Sequence, residues 1–391
     1  MKFLRRYIFI LISVAGLVGL VASPTEALDA SKESLNLCIN VIIPTLFPFF
    51  VFSSLAISLG LADILGKIFG GLMKPIFNVN GSCSTAFILG LISGFPVGAK
   101  TAINLYQNGQ CSKTEAERIL SFSNNAGPAF ILGTVGIGIW NSSYIGWILW
   151  LTQISASVIV GFIFGKLWKN KESENSINFP LKKSRVVRFL PALTDAVKSA
   201  AINLIYISSF IIFFSIVIRL LIVSGVIPLT AEILSDIVPL KTLTTKDYEN
   251  IISGIFEFTT GINHIGNSAP YSHSLTLTAA ILGWAGLSVH CQVLSFVYES
   301  GLSPIPYIAG KALQTLISAI TVFIISIYIP LEDTVSTFAE YTEILDNQNF
   351  YGFHISALSI ITIFLLLTLI LFIHIQKGRK TETYSRFKKK G

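Results

Sequence analysis

Three short segments inside apolar stretches carry residue types that could contact a solute. The first is residues 93–100, Ser-Gly-Phe-Pro-Val-Gly-Ala-Lys, which combines two glycines with a proline. Proline removes a backbone donor, and glycine admits conformations closed to other residues. We therefore predict two half-helices with a break between them, whose free N–H groups and positive helix end would suit an anionic or carbonyl-bearing solute, or water. The alternative is a tight packing kink, because small residues also let helices approach closely.

The charge that ends the first segment and the two amides of the second are further candidates. Lys100 is the only charged residue between Lys74 and Lys113. A lysine at bilayer depth faces a cavity or a partner, or it snorkels to the interface. The second segment, Asn-Asn-Ala-Gly-Pro at 124–128, offers four donors and two acceptors from adjacent amides. Those amides contact the solute or cap the helix that begins near Pro128, and the two roles are compatible.

A lone carboxylate marks the third segment. Glu257 lies in the apolar sequence Ile-Phe-Glu-Phe-Thr-Thr-Gly-Ile. A carboxylate in such a stretch predicts a proton or cation site, or an acceptor for a solute hydroxyl or amine. Thr259 and Thr260 add hydroxyl groups beside it. The alternative is a structural ion pair with Lys100 or Arg219.

The sequence predicts no catalytic residue, no metal site and no cofactor. The four cysteines form no CxxC pair, the five histidines are scattered, and no nucleotide-binding or hydrolase motif is present. An enzyme is not expected, because Glu257 has no histidine, cysteine or second acid at a useful spacing. The candidate solute-binding or pore residues are Ser93, Gly94, Pro96, Gly98, Lys100, Asn124, Asn125, Gly127, Pro128, Glu257, Thr259, Thr260 and Gly261.

The composition assigns these segments to an all-α polytopic membrane protein. Of 391 residues, 52% are apolar and only 13% are charged, and the mean hydropathy is +0.70. This excludes a soluble enzyme, a disordered chain and a nucleic-acid binder. We predict about eight to ten hydrophobic segments, some of them broken or re-entrant. Much of the net charge of +7 lies at the ends of those segments, where it orients the chain in the bilayer.

The distribution of charge predicts that both termini are cytoplasmic. A basic head precedes the apolar run 7–22, which resembles a signal peptide but is favoured as an uncleaved first helix. The linker 169–198 and the tail 376–391 are basic, so both are expected in the cytoplasm. The loop 331–350 is acidic and expected outside, and residues 353–375 form the last predicted span.

A short internal sequence similarity predicts that the membrane core is duplicated. Residues 85–90 match residues 278–283 at five of six positions, and a charged linker separates them. Transporters built from repeats place broken helices at corresponding positions, with the binding site between them. The predicted domains are an N-terminal helix and short loop at 1–34, a first repeat at 35–168, the linker at 169–198, a second repeat at 199–330, and a loop, last helix and tail at 331–391.

Four motifs, in order, resemble a known family. They are Leu-Phe-Pro-Phe-Phe at 46–50, the segment 93–100, Ser-Phe-Ser-Asn-Asn-Ala-Gly-Pro at 121–128 and Glu-Phe-Thr-Thr-Gly at 257–261. The chain resembles the sporulation integral membrane protein family of YlbJ type. That family carries nucleoside-recognition (Gate-like) domains, also found in spore maturation proteins and, distantly, in concentrative nucleoside transporters. The second half departs from the pattern, because Ala-Gly-Leu-Ser at 285–288 lacks the proline, so a weaker break is expected there.

The resemblance implies a protein of the cell membrane that serves spore cortex formation in a spore-forming Gram-positive bacterium. Broken helices and lone membrane charges favour a transporter or channel for a small polar solute. The alternative is a non-transporting scaffold or assembly factor that docks cortex-synthesis proteins through the basic linker and tail. The expected partners are the lipid bilayer, the solute and other sporulation membrane proteins, with no nucleic acid.

Overall fold

The structure, a computed structural model, describes residues 2–167, 188–237, 243–266 and 271–328. Most of the predicted linker, the acidic loop, the last span 353–375 and the basic tail lie outside the described residues. Within the described ranges the chain is helical and contains no strand. The helices are α1 (Lys2–Ala22), α2 (Pro24–Leu37), α3 (Ile43–Ser58), α4 (Leu61–Phe77), α5 (Ser84–Ser93), α6 (Val97–Gln107), α7 (Lys113–Ser123), α8 (Ser143–Leu167), α9 (Phe189–Val223), α10 (Val226–Ile237), α11 (Thr245–Phe256), α12 (Phe258–Gly266), α13 (Tyr271–Trp284), α14 (Gly286–Ser300) and α15 (Ile305–Tyr328), with π-helical segments at Cys38–Ile42 and Ala129–Ile139 and a 3₁₀ turn at Gly81–Cys83.

Five helices in these ranges are long and apolar enough to cross a membrane. They are Pro24–Ser58, Ser143–Leu167, Phe189–Val223, His273–Ser300 and Ile305–Tyr328. A sixth candidate is the pair Lys67–Phe77 and Gly81–Ser93, which is bent by 112°. Many large apolar side chains on these helices are exposed, as a lipid-facing surface requires. The predicted class, an all-α polytopic membrane protein, is confirmed.

Two helical hairpins turn back within the chain, and glycine pairs close both. In hairpin 1 (Ser84–Gln107), a Cβ placed on Gly98 would lie 2.8 Å from the Cα of Gly90, so α5 and α6 touch through backbone. In hairpin 2 (Thr245–Gly266), a Cβ on Gly261 would lie 2.3 Å from the Cα of Gly254. Seven residues of continuous helix would separate those two glycines by about 10 Å, so the chain must reverse between them.

The second hairpin turns back within residues 251–265, as the sequence expects of some hydrophobic segments. Glu257 divides it, with extended backbone at φ −142° and ψ 113° between α11 and α12. Thr244 begins the hairpin with a capping box, because its side chain accepts from Asp247 N and the Asp247 carboxylate accepts from Thr244 N. The reversal uses neither proline nor a glycine at the turn, which is why sequence pattern did not locate it.

A broken helix follows each hairpin. Broken helix 1 is α7 and Ala129–Ile139, interrupted at 124–128 as the sequence predicts. Broken helix 2 is α13 and α14, interrupted where Ala285 and Gly286 both have φ 76°. The missing proline therefore does not prevent a break, because two successive left-handed residues end the helix. The two similar sequence segments lie in different kinds of element. Residues 85–90 lie in α5, an arm of hairpin 1, whereas residues 278–283 lie in α13, the first half of broken helix 2.

Candidate functional site

The tip of each hairpin meets the break of the helix that follows it. A Cβ placed on Gly127, in the break of broken helix 1, would lie 3.2 Å from Gly94 N at the tip of hairpin 1. A Cβ placed on Gly286, in the break of broken helix 2, would lie 2.9 Å from Phe258 N at the tip of hairpin 2. Gly94 needs its glycine for a second reason, because its φ of +75° is strained for other residues. Backbone thus packs on backbone at both junctions.

A cavity lies where the two tips and the two breaks converge. Both hairpins, both broken helices, α3 and α9 contribute to its wall. Most of the wall is apolar, and its aromatic side chains are Phe49, Phe50, Phe95, Phe130, Phe210 and Phe258. Phe258 packs against two of the other rings, with centroids 5.7 Å from Phe95 and 4.9 Å from Phe130. The polar side chains of the wall are Ser93, Glu257, Thr259, Ser288 and Gln292.

The Glu257 carboxylate is fully buried and held by its own chain. It accepts hydrogen bonds from Thr259 N at 3.1 Å and Thr260 N at 2.6 Å, the first N–H groups of α12. A helix N-terminus carries partial positive charge, so it stabilises a carboxylate in this position. Among the described residues Glu257 forms no ion pair, and Arg219 instead bonds Glu33 at 2.8 Å. The expected alternative of an ion pair with Lys100 or Arg219 is therefore not what the structure shows.

Three hydroxyl groups on the cavity wall are available to a solute. Ser93 Oγ, Thr259 Oγ1 and Ser288 Oγ are buried, and none finds a hydrogen-bond partner within the described residues. Buried polar atoms are normally paired with protein or ordered water. One hydroxyl comes from each hairpin and one from broken helix 2, so they approach the cavity from different sides.

The structure brings together part of the residue set that the sequence proposes. Five of the candidates line the cavity: Ser93, Gly94, Gly127, Glu257 and Thr259. Gly98 and Gly261 instead belong to the glycine pairs of the hairpins. Pro96 and Pro128 flank the tip and the break without lining the cavity. Lys100 is exposed, with its Nζ 5.7 Å from the ring centroid of Phe296, so the snorkelling alternative fits its position.

Asn124 and Asn125 are buried in a hydrogen-bond network behind the cavity. Lys311 Nζ donates to Asn124 O at 3.2 Å, and Gln314 Nε2 donates to Asn125 Oδ1 at 2.8 Å. Gln314 Nε2 also donates to Gln153 Oε1 at 3.0 Å, which ties α8 and α15 to the break. Neither asparagine side chain caps the helix after Pro128: Asn125 Oδ1 accepts from Gln314 Nε2, and Asn124 Oδ1 has no hydrogen-bond partner within the described residues.

Sequence reasoning missed the residues that hold this network. Lys311 and Gln314 lie three apart on α15, and Gln153 lies on α8, in segments treated only as spans. Tyr307, one turn before Lys311, contacts His290 Nδ1 through its hydroxyl at 2.9 Å. The signal was present, because an intramembrane lysine is rare and is normally paired or functional.

A second, larger and charged cavity lies on the other side of hairpin 2. It is lined by α2, α9, α11 and α12. Thr260 lines this cavity, not the first, and its Oγ1 lies 2.9 Å from Ser215 Oγ on α9. Arg219, which bonds Glu33, and Lys246, which bonds Glu249 at 2.7 Å, contribute charge. The first turn of α12 therefore separates the aromatic cavity from a polar one.

Paired hairpins and broken helices around a buried cavity define a membrane protein with a transporter-type fold. Solved structures agree: the chain is similar to CNTnw in an inward-facing substrate-bound state, with a TM-score of 0.55 at 13% identity over 81% of this chain and 84% of that one. For CNTnw N149L in the intermediate 2 state the TM-score is 0.54 at 12% identity, covering 82% and 85%. At these identities the likeness concerns the fold.

Sequence comparison identifies the family. Residues 39–167 match the Gate family, described as nucleoside recognition. The chain is 30% identical over 327 residues to the sporulation integral membrane protein YlbJ of Bacillus subtilis (strain 168), covering 80% of each chain. The chain therefore belongs to the YlbJ family of sporulation integral membrane proteins. The expected family resemblance is confirmed.

Proposed function

We propose that this protein carries a small polar solute of nucleoside type across the membrane of a sporulating cell, and that this transport serves spore cortex formation. One observation carries the proposal. A buried carboxylate and three buried hydroxyls without partners in the described residues share an aromatic cavity at the meeting point of two hairpin tips and two helix breaks. The likeness to CNTnw and the Gate description of residues 39–167 support it.

The chemistry of the wall fits a solute with a flat ring and several hydroxyl groups. Phenylalanine rings bind a planar heterocycle by offset or edge contact. Glu257 is an acceptor, and it can receive a hydrogen bond from a sugar hydroxyl or a ring N–H. The hydroxyls of Ser93, Thr259 and Ser288 supply further donors and acceptors.

The test is uptake of radiolabelled uridine and adenosine into proteoliposomes that contain the full chain. We expect Glu257→Gln to weaken binding and uptake about 10- to 100-fold, because a hydrogen bond to a charged group contributes roughly 1.5–3 kcal/mol. Lys100→Gln is the matched control, since it removes an exposed charge outside the cavity and should leave uptake unchanged.

The opposite result would favour the scaffold. If no nucleoside is bound or taken up, and Glu257→Gln cells still form normal cortex, the transport proposal fails. Loss of cortex after removal of the tail 376–391 would then assign the function to docking of other sporulation proteins. The Glu257→Gln and tail-deletion proteins must be present in the membrane at equal abundance, measured by immunoblot, before the spores are compared.

A further inference from the structure

A buried lysine holds the backbone that the break of broken helix 1 leaves unpaired. Lys311 is 1% exposed, and its Nζ donates to Asn124 O at 3.2 Å and to Gln314 Oε1 at 2.8 Å. The same nitrogen lies 5.3 Å from the ring centroid of Phe95 at the tip of hairpin 1. An ammonium has three donors and no acceptor, and here it faces two oxygens and one aromatic face.

The C-terminal end of α7 supplies the partial negative charge that balances Lys311. Asn124 is the C-cap of α7, and the last carbonyls of a helix carry partial negative charge. Among the described residues no carboxylate forms an ion pair with Lys311. The ammonium is therefore coordinated by two neutral oxygens, the Asn124 carbonyl at the end of the half-helix α7 and the side-chain amide oxygen of Gln314 on α15.

In transporters with discontinuous helices, unwound carbonyls and the C-terminal ends of half-helices coordinate the coupling cation. We propose that Lys311 is a tethered cation that occupies this position, so that the protein needs no free Na⁺ at the break of broken helix 1. The break also lies near the buried Glu257 carboxylate, which lines the adjoining cavity. One basic and one acidic side chain already stand in the low-dielectric interior, and an added cation would be repelled by the ammonium form of Lys311.

Gly310, the residue before Lys311, allows the lysine to reach the break of broken helix 1. A Cβ on Gly310 would lie 2.1 Å from Ser121 O, so only glycine lets α15 approach the backbone of α7 this closely. Lys311 is the next residue, and it reaches the C-cap of that helix. One turn later Gln314 bonds Asn125, so both asparagines of the break are held by α15.

The tethered charge also contacts the solute cavity. Phe95 stacks its ring near Lys311 and lines the aromatic wall. Phe95 also packs against Phe258 of hairpin 2, with the two rings nearly perpendicular. Lys311 therefore positions a ring of the solute site from behind. The inference deepens the proposed function, because it states which cation the carrier does not require. The test of the inference measures protein stability, so it can fail or succeed independently of the uptake test of the proposed function.

The experiment is thermal unfolding of the purified full chain in detergent, in NaCl or in choline chloride at equal ionic strength. We expect the wild-type unfolding temperature to be the same in both salts. Lys311→Ser should unfold at a lower temperature in choline chloride and recover in part in NaCl or ammonium chloride, because a small cation can enter the vacated position. Lys100→Ser, an exposed lysine outside the network, should show neither effect.

Three results would overturn the inference. The first is a wild-type protein stabilised by Na⁺ relative to choline. The second is a Lys311→Ser protein as stable as the wild type. The third is a Lys311→Ser protein that is equally unstable in every salt, which would make the lysine a packing element only. If Lys311→Ser does not fold, the inference is tested by comparing the wild-type protein in NaCl and choline chloride, and by the same measurements on the milder variant Lys311→Gln.

Discussion

Hairpin 1 packs against the backbone carbonyl of Ser123, and this contact predicts the effect of replacing Gly90. A Cβ at this position would lie 1.7 Å from Ser123 O, half of the 3.4 Å at which ordinary contact begins. The obstacle is backbone at the end of α7, so no side-chain rotation can relieve the collision. Gly90→Ala must therefore push α5 away from broken helix 1.

The expected cost is at the upper end of what overpacking produces. Extra methyl groups in packed cores destabilise by about 1–3 kcal/mol, and more when backbone has to move. Gly98 meets the same carbonyl at 2.0 Å from its would-be Cβ. Displacement by the first alanine makes room for the second, so the double variant Gly90→Ala/Gly98→Ala should lose less stability than the sum of the single variants.

Thermal unfolding in detergent and solute binding are the assays, with Gly71→Ala as the control. Gly71 is exposed on α4 and has no neighbouring atom within 4 Å of a would-be Cβ, so its replacement should be neutral or stabilising by up to about 1 kcal/mol. Gly90→Ala should lower the unfolding temperature and weaken binding, because the tip moves away from the break. Equal behaviour of the Gly90 and Gly71 variants would refute the packing argument.

Three further changes test other contacts. Gln314→Leu should destabilise by about 1–3 kcal/mol, because it leaves the buried acceptors Asn125 Oδ1 and Gln153 Oε1 without their donor. A smaller loss of stability in chemical denaturation would argue against the network. A double-mutant cycle of Ser215→Ala and Thr260→Val should give a coupling near 0.5–1.5 kcal/mol for their 2.9 Å contact, and zero coupling would mean that the hydroxyls do not bond. Arg219→Ala should cost no more than about 1 kcal/mol and less at high salt, because its ion pairs are partly exposed; a larger, salt-independent loss would show that the pairs are desolvated.

The breaks that sequence reasoning found are those marked by glycine and proline. The segments 93–100 and 124–128 contain both residues, and both interrupt helices. Sequence reasoning allowed re-entrant segments and singled out Glu257 for its charge, but it did not locate a chain reversal at that residue. There a glutamate accepts the N–H groups that a serine or aspartate usually caps, and this use of glutamate is rare enough to escape pattern rules.

Other parts of the site depend on contacts that are distant in sequence. Lys311 and Asn124 are nearly two hundred residues apart, and nothing local to either one indicates that they meet. The approach depends on Gly310, whose small size is meaningful only once the opposing carbonyl is known. Composition could identify the class of fold, and lone polar residues could identify candidates, but neither could pair them.

The contact of Gly94 with Gly127 restricts how the aromatic cavity can be emptied. Two backbones that touch without intervening side chains leave nothing at that junction to swing aside. A bound molecule therefore cannot depart between the tip of hairpin 1 and its own broken helix while both remain folded. Under the proposed function, a solute would have to leave by displacing side chains such as Phe95 and Phe258, or by movement of hairpin 1 and broken helix 1 together.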